Sequence, residues 1–293
     1  IKMISNNKRK GIILAGGNGS RLYPLTKVIS KQLLPVFDKP MIHYPLATLM
    51  TANIKDILVI STPKDISAYE ALLGDGSSWG INISYKIQPS PDGLAQAFLL
   101  SEDFLGNDLS ALILGDNIFY GPDFSDLLLK ASNREEATIF AFHVEEAQRY
   151  GVVEFDDKKV ISIEEKPVKP KSNFAITGLY FYDNEVIELA KSLKPSVRGE
   201  LEITDLNRIY MKKNKLNVEI LNKDYTWFDS GTHESLLKAS MYVGDFQKRY
   251  NQKISCIEEI AYKNRWISKN DLIILAKKIH NKYYRDYLEG LID

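Results

Sequence analysis

The sequence predicts an α/β protein: a Rossmann-like, doubly wound, mostly parallel central sheet, an antiparallel insertion and a C-terminal helical extension. Two observations predict it. The first half alternates short β-branched runs with helical patterns, the rhythm of a parallel sheet covered on both faces. The middle then turns strand-rich, and after Gly231 the pattern is helical.

In order, residues 11–15 read as a buried strand. Pro40 opens an amphipathic helix over 40–53, with proline in its first turn. Residues 56–61 form a second strand, and 81–87 alternate as a half-buried strand does. Residues 94–105 are helical. A continuous apolar strand over 109–114 ends at Gly115-Asp116-Asn117, and 123–132 are helical again. Strands are predicted over 137–144, 152–155, 160–164 and 175–182, helices over 185–193 and 203–212, and a strand over 217–221. At the C-terminus, Leu272, Leu275, Ile279, Tyr283 and Tyr287 recur at helical steps and predict one apolar face. The expected organisation is a lead-in over 1–9, a core over 10–231 and a helical extension over 232–293.

The chain has 293 residues, 44% apolar and 26% charged, which suits a soluble globular fold with an ample core. Lys+Arg and Asp+Glu both total 38. That balance does not point to nucleic acid. No apolar run approaches the ~20 residues a membrane span needs. Cys256 is the only cysteine, so no internal disulfide forms. With no apolar leader, a cytoplasmic location is expected. Asn82-Ile83-Ser84 matches a glycosylation sequon, and chance accounts for it. His43, His143, His233 and His280 lack metal-ligand spacing.

Residues 14–26 carry the first chemistry. The strand ends at Ala15, and Gly16, Gly17 and Gly19 follow, then Ser20 and Arg21. Glycines let backbone N–H groups approach anionic oxygens, and Arg21 adds a permanent charge with a planar donor fork. These are the parts of a triphosphate cradle. A plain loop also uses glycines, so the turn alone decides nothing. A Walker A loop needs a terminal Gly-Lys-Ser/Thr, which is absent. A dinucleotide fingerprint needs a third glycine, and Leu22 stands in its place.

Further motifs follow in order. They are Pro24-Leu25-Thr26, Ser30-Lys31-Gln32-Leu33-Leu34-Pro35, Gln88-Pro89-Ser90-Pro91-Asp92-Gly93-Leu94-Ala95-Gln96-Ala97 and Leu114-Gly115-Asp116-Asn117. Then come Arg149-Tyr150-Gly151-Val152-Val153-Glu154, Glu164-Glu165-Lys166-Pro167, Thr177 to Tyr182, Arg198 to Asp205 and Trp227 to Thr232. The set resembles the signature of the sugar-nucleotide pyrophosphorylase family, and within it the short, homotetrameric branch that uses dTTP. The resemblance runs from about Lys10 to the C-terminal helices. Ser20 replaces the commoner threonine, and Phe228 and Ser230 flank Asp229 where related chains vary.

The resemblance implies joining of dTTP and glucose 1-phosphate, with Mg²⁺, to give dTDP-glucose and pyrophosphate, most often on the way to deoxysugars such as rhamnose. It implies catalytic roles for Arg21, Lys166 and Asp116. Nucleotide contacts fall to Gly16, Gly17, Gly19, Ser20, Arg21, Lys31, Gln88, Gly93 and Asp116. Sugar-phosphate contacts fall to Tyr150, Gly151, Glu165, Lys166, Ile176 and Glu200. Asp116 and Asp229 hold the metal. Taken singly, the lysines also read as solvated charges, Glu200 as a salt bridge to Arg198, Asp116 as a turn residue and Asp229 as part of a helix cap region. A second, regulatory nucleotide site is implied at Tyr120, Gly121, Ser125, Cys256 and Glu259, with the bland reading of Cys256 a packed helical cap. Asp123 could join it.

Three rivals remain at this point. One is a sister enzyme using UTP or another hexose 1-phosphate. A second is a nucleotide-binding regulator without turnover, disfavoured by intact Arg21, Asp116, Lys166 and Asp229. The third is a nicotinamide-dependent dehydrogenase.

Overall fold

A computed structural model describes residues 8–17, 19–157 and 159–292. In chain order its strands are β1 (Arg9–Ala15), β2 (Pro35–Val36), β3 (Lys39–Pro40), β4 (Asp56–Ser61), β5 (Asn82–Ile87), β6 (Leu109–Leu114), β7 (Asn117–Tyr120), β8 (Ala137–His143), β9 (Gly151–Asp156), β10 (Lys159–Glu165), β11 (Phe174–Tyr182), β12 (Leu216–Leu221) and β13 (Thr226–Asp229). The helices are α1 (His43–Thr51), α2 (Ile66–Leu73), α3 (Gln96–Leu100), α4 (Glu102–Leu105), α5 (Phe124–Ser132), α6 (Val186–Lys191), α7 (Ile203–Lys212), α8 (His233–Tyr250), α9 (Ile257–Lys263), α10 (Lys269–Lys278) and α11 (Lys282–Glu289).

Nine strands form one sheet in the order β5-β4-β1-β6-β11-β8-β12-β10-β9. The first four are parallel, and so are β8 and β12; only β11 and β10 run against the rest. The sheet is therefore parallel at the nucleotide-reading end expected from the glycine turn, and mixed at the other.

Both faces are buried, which is why β1 reads as a continuous apolar run. Ile12 and Leu14 pack on one side with α3, α4, α6 and α7. Ile13 and Ala15 pack on the other with α1, α2, α5 and the C-terminal helices α9, α10 and α11. A third cluster seats α8 on the β2–β3 hairpin through Val36, Met41, Ala239 and Val243. Among the described residues no helix is long and apolar enough to cross a membrane.

Several expectations need correction. Residues 1–7 of the predicted lead-in lie outside the described residues, but Arg9 already belongs to β1. Its guanidinium is buried and donates to the carbonyls of Ser132 and Tyr182 at 2.9 and 3.0 Å. The first helix starts at His43, with Pro45 rather than Pro40 in its first turn, and it is buried almost all round instead of amphipathic. Pro40 sits in β3. The helix predicted over 94–105 breaks at Ser101. The single apolar face through Tyr287 is two helices, because Asn281 caps a new one by accepting the Tyr284 N–H at 3.0 Å, and Tyr283 is 86% exposed. Helix α2 and the β7–β13 pairing add to the elements that the sequence pattern predicts.

Candidate active site

The site occupies the carboxyl ends of β1, β5 and β6, where an open α/β sheet presents its ligand loops. As the chain leaves β1, Gly17 and Gly19 take φ of 90° and 56°, the left-handed region that glycine enters without steric cost. Gly16 has a different reason. A Cβ there would lie 2.4 Å from the Gln88 Oε1. Behind the loop, the buried Gln32 amide donates to the Gly16 carbonyl at 3.2 Å. Its own carbonyl oxygen accepts from the Ser30 and Tyr69 hydroxyls at 2.8 and 3.2 Å. This brace fixes the glycine turn from beneath.

The turn borders a cavity of about 230 Å³ whose walls include Gly16, Gly17, Lys31, Gln88, Gly93 and Asp116. Gln88 is buried and donates to Gln96 at 2.7 Å, and Gln96 donates to Asp92 at 2.7 Å. Gly93 has φ of 106°, and a Cβ would fall 2.4–2.5 Å from the Leu201 backbone. Leu201 N–H donates to the Asp92 carbonyl at 2.7 Å, and Ala95 N–H donates to Leu201 at 3.1 Å. Glycine is required at 93 because a second backbone, carrying Glu200, presses against it.

A larger cavity of about 640 Å³ adjoins the first, and Leu94, Leu114, Asp116 and Glu200 wall both. Tyr150, Gly151, Glu165, Lys166 and Ile176 line it. The antiparallel β9–β10 pair places Gly151 opposite Glu165. A Cβ at Gly151 would stand 3.2 Å from the Thr204 hydroxyl and 3.4 Å from Glu165, so the missing side chain opens the floor. Thr204 donates to Glu165 at 2.5 Å and fixes that carboxylate. Lys166 adopts φ of 41°, its N–H donates to the Tyr150 carbonyl at 3.0 Å, and its half-exposed ammonium stands 3.8 Å from Glu165. Glu200 accepts from Arg198 at 2.6 Å, so its salt-bridge reading and its cavity position both hold.

Two aspartates meet at the seam. The short β7–β13 pairing sets Asp229 across from Asn117, and the Ser230 N–H donates to the Asp116 carbonyl at 3.0 Å. Burial opposes ionisation of Asp116, yet the charge and 2.5 Å hydrogen bond of Lys31, with a 3.0 Å bond from Asn117, hold its carboxyl below the usual range. Asp229 goes the other way: burial, and then the charge of Asp116, push it up to about 6. Arg21 lies beside Asp229, since a Cβ at Gly231 would be 2.6 Å from its guanidinium and 3.1 Å from the Asp229 carboxylate. Arg21 thus lines the larger cavity rather than the smaller.

Among the described residues no three His, Cys, Asp or Glu side chains cluster as a metal cage. Two adjacent carboxylates, one resisting ionisation, fit a hard dication that takes its other ligands from phosphates and water.

The residues expected at a regulatory site line none of these cavities. Tyr120 packs edge-on against Phe246 and at a tilt against Tyr242, and Gly121 packs against Tyr225. Ser125 lies in the first turn of α5. The Cys256 thiol is buried against Glu258 and Tyr284, in a packing position rather than a surface one. Glu259 accepts from Tyr287 at 2.7 Å.

Sequence reasoning gave no role to Gln32, Asn117, Thr204 or Trp227. The buried Asn117 Oδ1 accepts from the Gly178 N–H at 3.0 Å and the Trp227 indole at 2.6 Å while its amide nitrogen holds Asp116. All four lie within the motifs that carry the family resemblance, and that membership is the only signal the sequence holds for them.

Residues 10–245 match the family described as nucleotidyl transferase. The chain belongs to the nucleotidyl transferase family. Glucose-1-phosphate thymidylyltransferase from Neisseria meningitidis serogroup A is 55% identical over 97% of this chain and 99% of its own. The enzyme of that name from Xanthomonas campestris pv. campestris is 54% identical over 97% of each chain. Among solved structures, a Bacillus anthracis protein described as a candidate glucose-1-phosphate thymidylyltransferase, crystallised with a sucrose, superposes with a TM-score of 0.74. It is 44% identical and covers 80% of this chain and 94% of its own. A UDP-glucose pyrophosphorylase bound to UDP-glucose gives a TM-score of 0.70 at 25% identity, over 83% of this chain and 99% of its own. Nucleotidyl transferases typically need a divalent metal, and the seam of this nucleotidyl transferase offers the two carboxylates described above.

Proposed function

We propose that the chain joins dTTP and α-D-glucose 1-phosphate to give dTDP-glucose and pyrophosphate. The observation that carries this reading is the pair of abutting cavities with Asp116 in their common wall, in a chain at least half identical to thymidylyltransferases over nearly its whole length.

The attacking group is a phosphate oxygen of the sugar phosphate, already anionic at neutral pH. It forms a bond to the α-phosphorus of dTTP as the bond to pyrophosphate breaks, so no protein nucleophile or general base is needed. The chain's work is positioning and charge stabilisation. Gly16, Gly17, Gly19 and Ser20 cradle the triphosphate, and Lys31 stands beside Asp116 to meet its charge. Arg21, next to Asp229, faces the charge that builds on the leaving pyrophosphate. Lys166 anchors the phosphate of the sugar substrate, while Glu165 and Glu200 accept from its hydroxyls over Gly151, Tyr150 and Ile176. Mg²⁺, held by Asp116 and Asp229, would supply neutralising charge between the two polyanions. Gln88 reads the thymine edge, where an amide matches N3–H and O4.

A pyrophosphate-release assay with a panel of nucleotides and sugar phosphates tests the reading. dTTP with glucose 1-phosphate should give the highest kcat/KM. UTP should come next, since a missing methyl in an apolar pocket changes binding by only about 1–3 kcal/mol. Another pair exceeding it about tenfold would overturn the substrate assignment. A dTTP consumer works where dTTP is made, so we place it in the cytoplasm. We also propose a core over 10–231 and an extension over 232–293 that makes the subunit contacts of a homotetramer; sedimentation as a monomer would exclude it.

A further inference from the structure

Among the described residues, five cationic side chains line the two cavities of the cleft: Arg21, Lys31, Arg149, Lys166 and Arg198. Four of them face carboxylates that line the cleft as well. Lys31 bonds Asp116, Lys166 stands 3.8 Å from Glu165, Arg198 donates to Glu200 and Glu202 at 2.6 and 3.1 Å, and Arg21 lies beside Asp229. Arg149 differs. It donates at 2.8 Å to Glu146, which lines neither cavity and whose side chain is 62% exposed. An exposed ion pair of this kind holds weakly. A phosphate monoester carries about two negative charges at neutral pH and offers a guanidinium a pair of parallel, charge-assisted bonds.

The fold brings Arg149 to the seam. Ala147–Arg149 form a single 3₁₀ turn anchored by the buried Ala147, and β9 begins two residues later at Gly151. The β9–β10 pairing sets Gly151 opposite Glu165, and the Lys166 N–H donates to the Tyr150 carbonyl, so Arg149 leaves the backbone close to Lys166. Its guanidinium lies over the Tyr150 ring, 5.9 Å from the centroid. That ring packs at a tilt against Trp227, with centroids 5.3 Å apart. The charge of Arg149 also reaches Asp229, where it joins Lys31 and Arg21 in favouring the ionised carboxylate.

We propose that Arg149 is a second anchor for the phosphate of the sugar substrate, released from Glu146 and shared with Lys166 when glucose 1-phosphate binds. This role rests on the reading that the chain turns over dTTP and glucose 1-phosphate. A cation whose counter-ion lies outside the cleft is the one free to change partners, since the other four keep carboxylates beside them. Its charge offsets the repulsion between two polyanions that must meet in line. The sugar phosphate is held alike before and during the displacement, so the contribution falls on KM for glucose 1-phosphate rather than on kcat.

Steady-state pyrophosphate release by the whole protein tests it, each substrate varied against saturating amounts of the other. Arg149→Ala should raise KM for glucose 1-phosphate about tenfold or more, with KM for dTTP and kcat within about twofold of the parent and with parental melting. Arg149→Lys keeps the charge without the planar fork and should fall between the two. Glu146→Gln removes the competing carboxylate and should lower KM for glucose 1-phosphate about twofold. That opposite sign is the decisive readout, because a pair that only supports the fold is damaged alike from either side. A parental KM for glucose 1-phosphate in Arg149→Ala, or a rise in both KM values together, overturns the role of Arg149 alone. A KM that does not fall in Glu146→Gln shows that carboxylate and phosphate do not compete, and overturns the exchange. A parent that fails to turn over the two substrates overturns the underlying reading with it.

Discussion

The two halves of the cleft are built in opposite ways. The smaller cavity, at the parallel end of the sheet, is made by backbone: three glycines, two with positive φ, and the buried Gln32 brace that sets a carbonyl from behind. The larger cavity, at the mixed end, is made by side chains: Glu165 fixed by Thr204, Glu200 by Arg198, and Lys166 offered from a left-handed residue. A triphosphate is long, flexible and uniform in charge, and a backbone cradle suits it. A sugar differs from its isomers only in hydroxyl directions, and fixed side-chain acceptors can read those. Asp116 belongs to both halves, which makes it the residue whose loss should damage either substrate's use.

The comparison breaks first at that seam. Asp116→Asn should lower kcat by about a hundredfold or more, with melting within a few degrees of the parent; a near-normal rate in pyrophosphate release would remove Asp116 from the reacting centre. Next comes the backbone half. Gly93→Ala places a methyl on the Leu201 backbone at a φ of 106°, and should cost about 2 kcal/mol or more of stability in urea denaturation. An unchanged midpoint would show that the two segments part freely.

A third outcome separates the two aspartates by pH. Asp229 has a folded-state value of about 6 against an ordinary 3.8. Between those values the folded protein holds a proton that the unfolded chain has released, so this group's contribution to stability falls as pH rises from 4 to 6 and stays lost above. In metal-free protein, Asp229→Asn should therefore be more stable at pH 7.5 by about 1–3 kcal/mol while losing turnover. Equal stability of the two proteins across that range would contradict a carboxyl held up by burial and, after it, by the charge of Asp116. The smallest effect tests the side-chain half alone. Glu165→Gln should raise KM for glucose 1-phosphate about tenfold and leave KM for dTTP near its parental value. Parallel rises in both would mean the halves are not separately built.

Residues 56–61, 109–114 and 203–212 were legible to the residue because their apolar patterns stop at turn residues, and both ends of each element are marked locally. The last apolar face was misread because periodicity runs on through Ile279 and Tyr283, while the break depends on one cap, Asn281. The β7–β13 pairing was invisible for another reason. Each strand is four residues long, and the partners are more than a hundred positions apart. Of the site, the charged residues could be named from motif order, and the structure brings Lys31, Asp116 and Asp229 together. The reason for Gly93 could not be named, since it lies in the Leu201 backbone rather than in a ligand. Nor could the buried partners Gln32 and Asn117, whose work is holding other groups and leaves no pattern in sequence.

The central claim is a single in-line displacement, with both substrates held at one seam and no covalent enzyme intermediate. Chiral dTTP with sulfur on the α-phosphorus tests it directly, read by ³¹P NMR of the thio-dTDP-glucose formed. One displacement inverts the configuration at phosphorus. Retention would require a second displacement through a nucleotide-bound side chain, and would contradict the account.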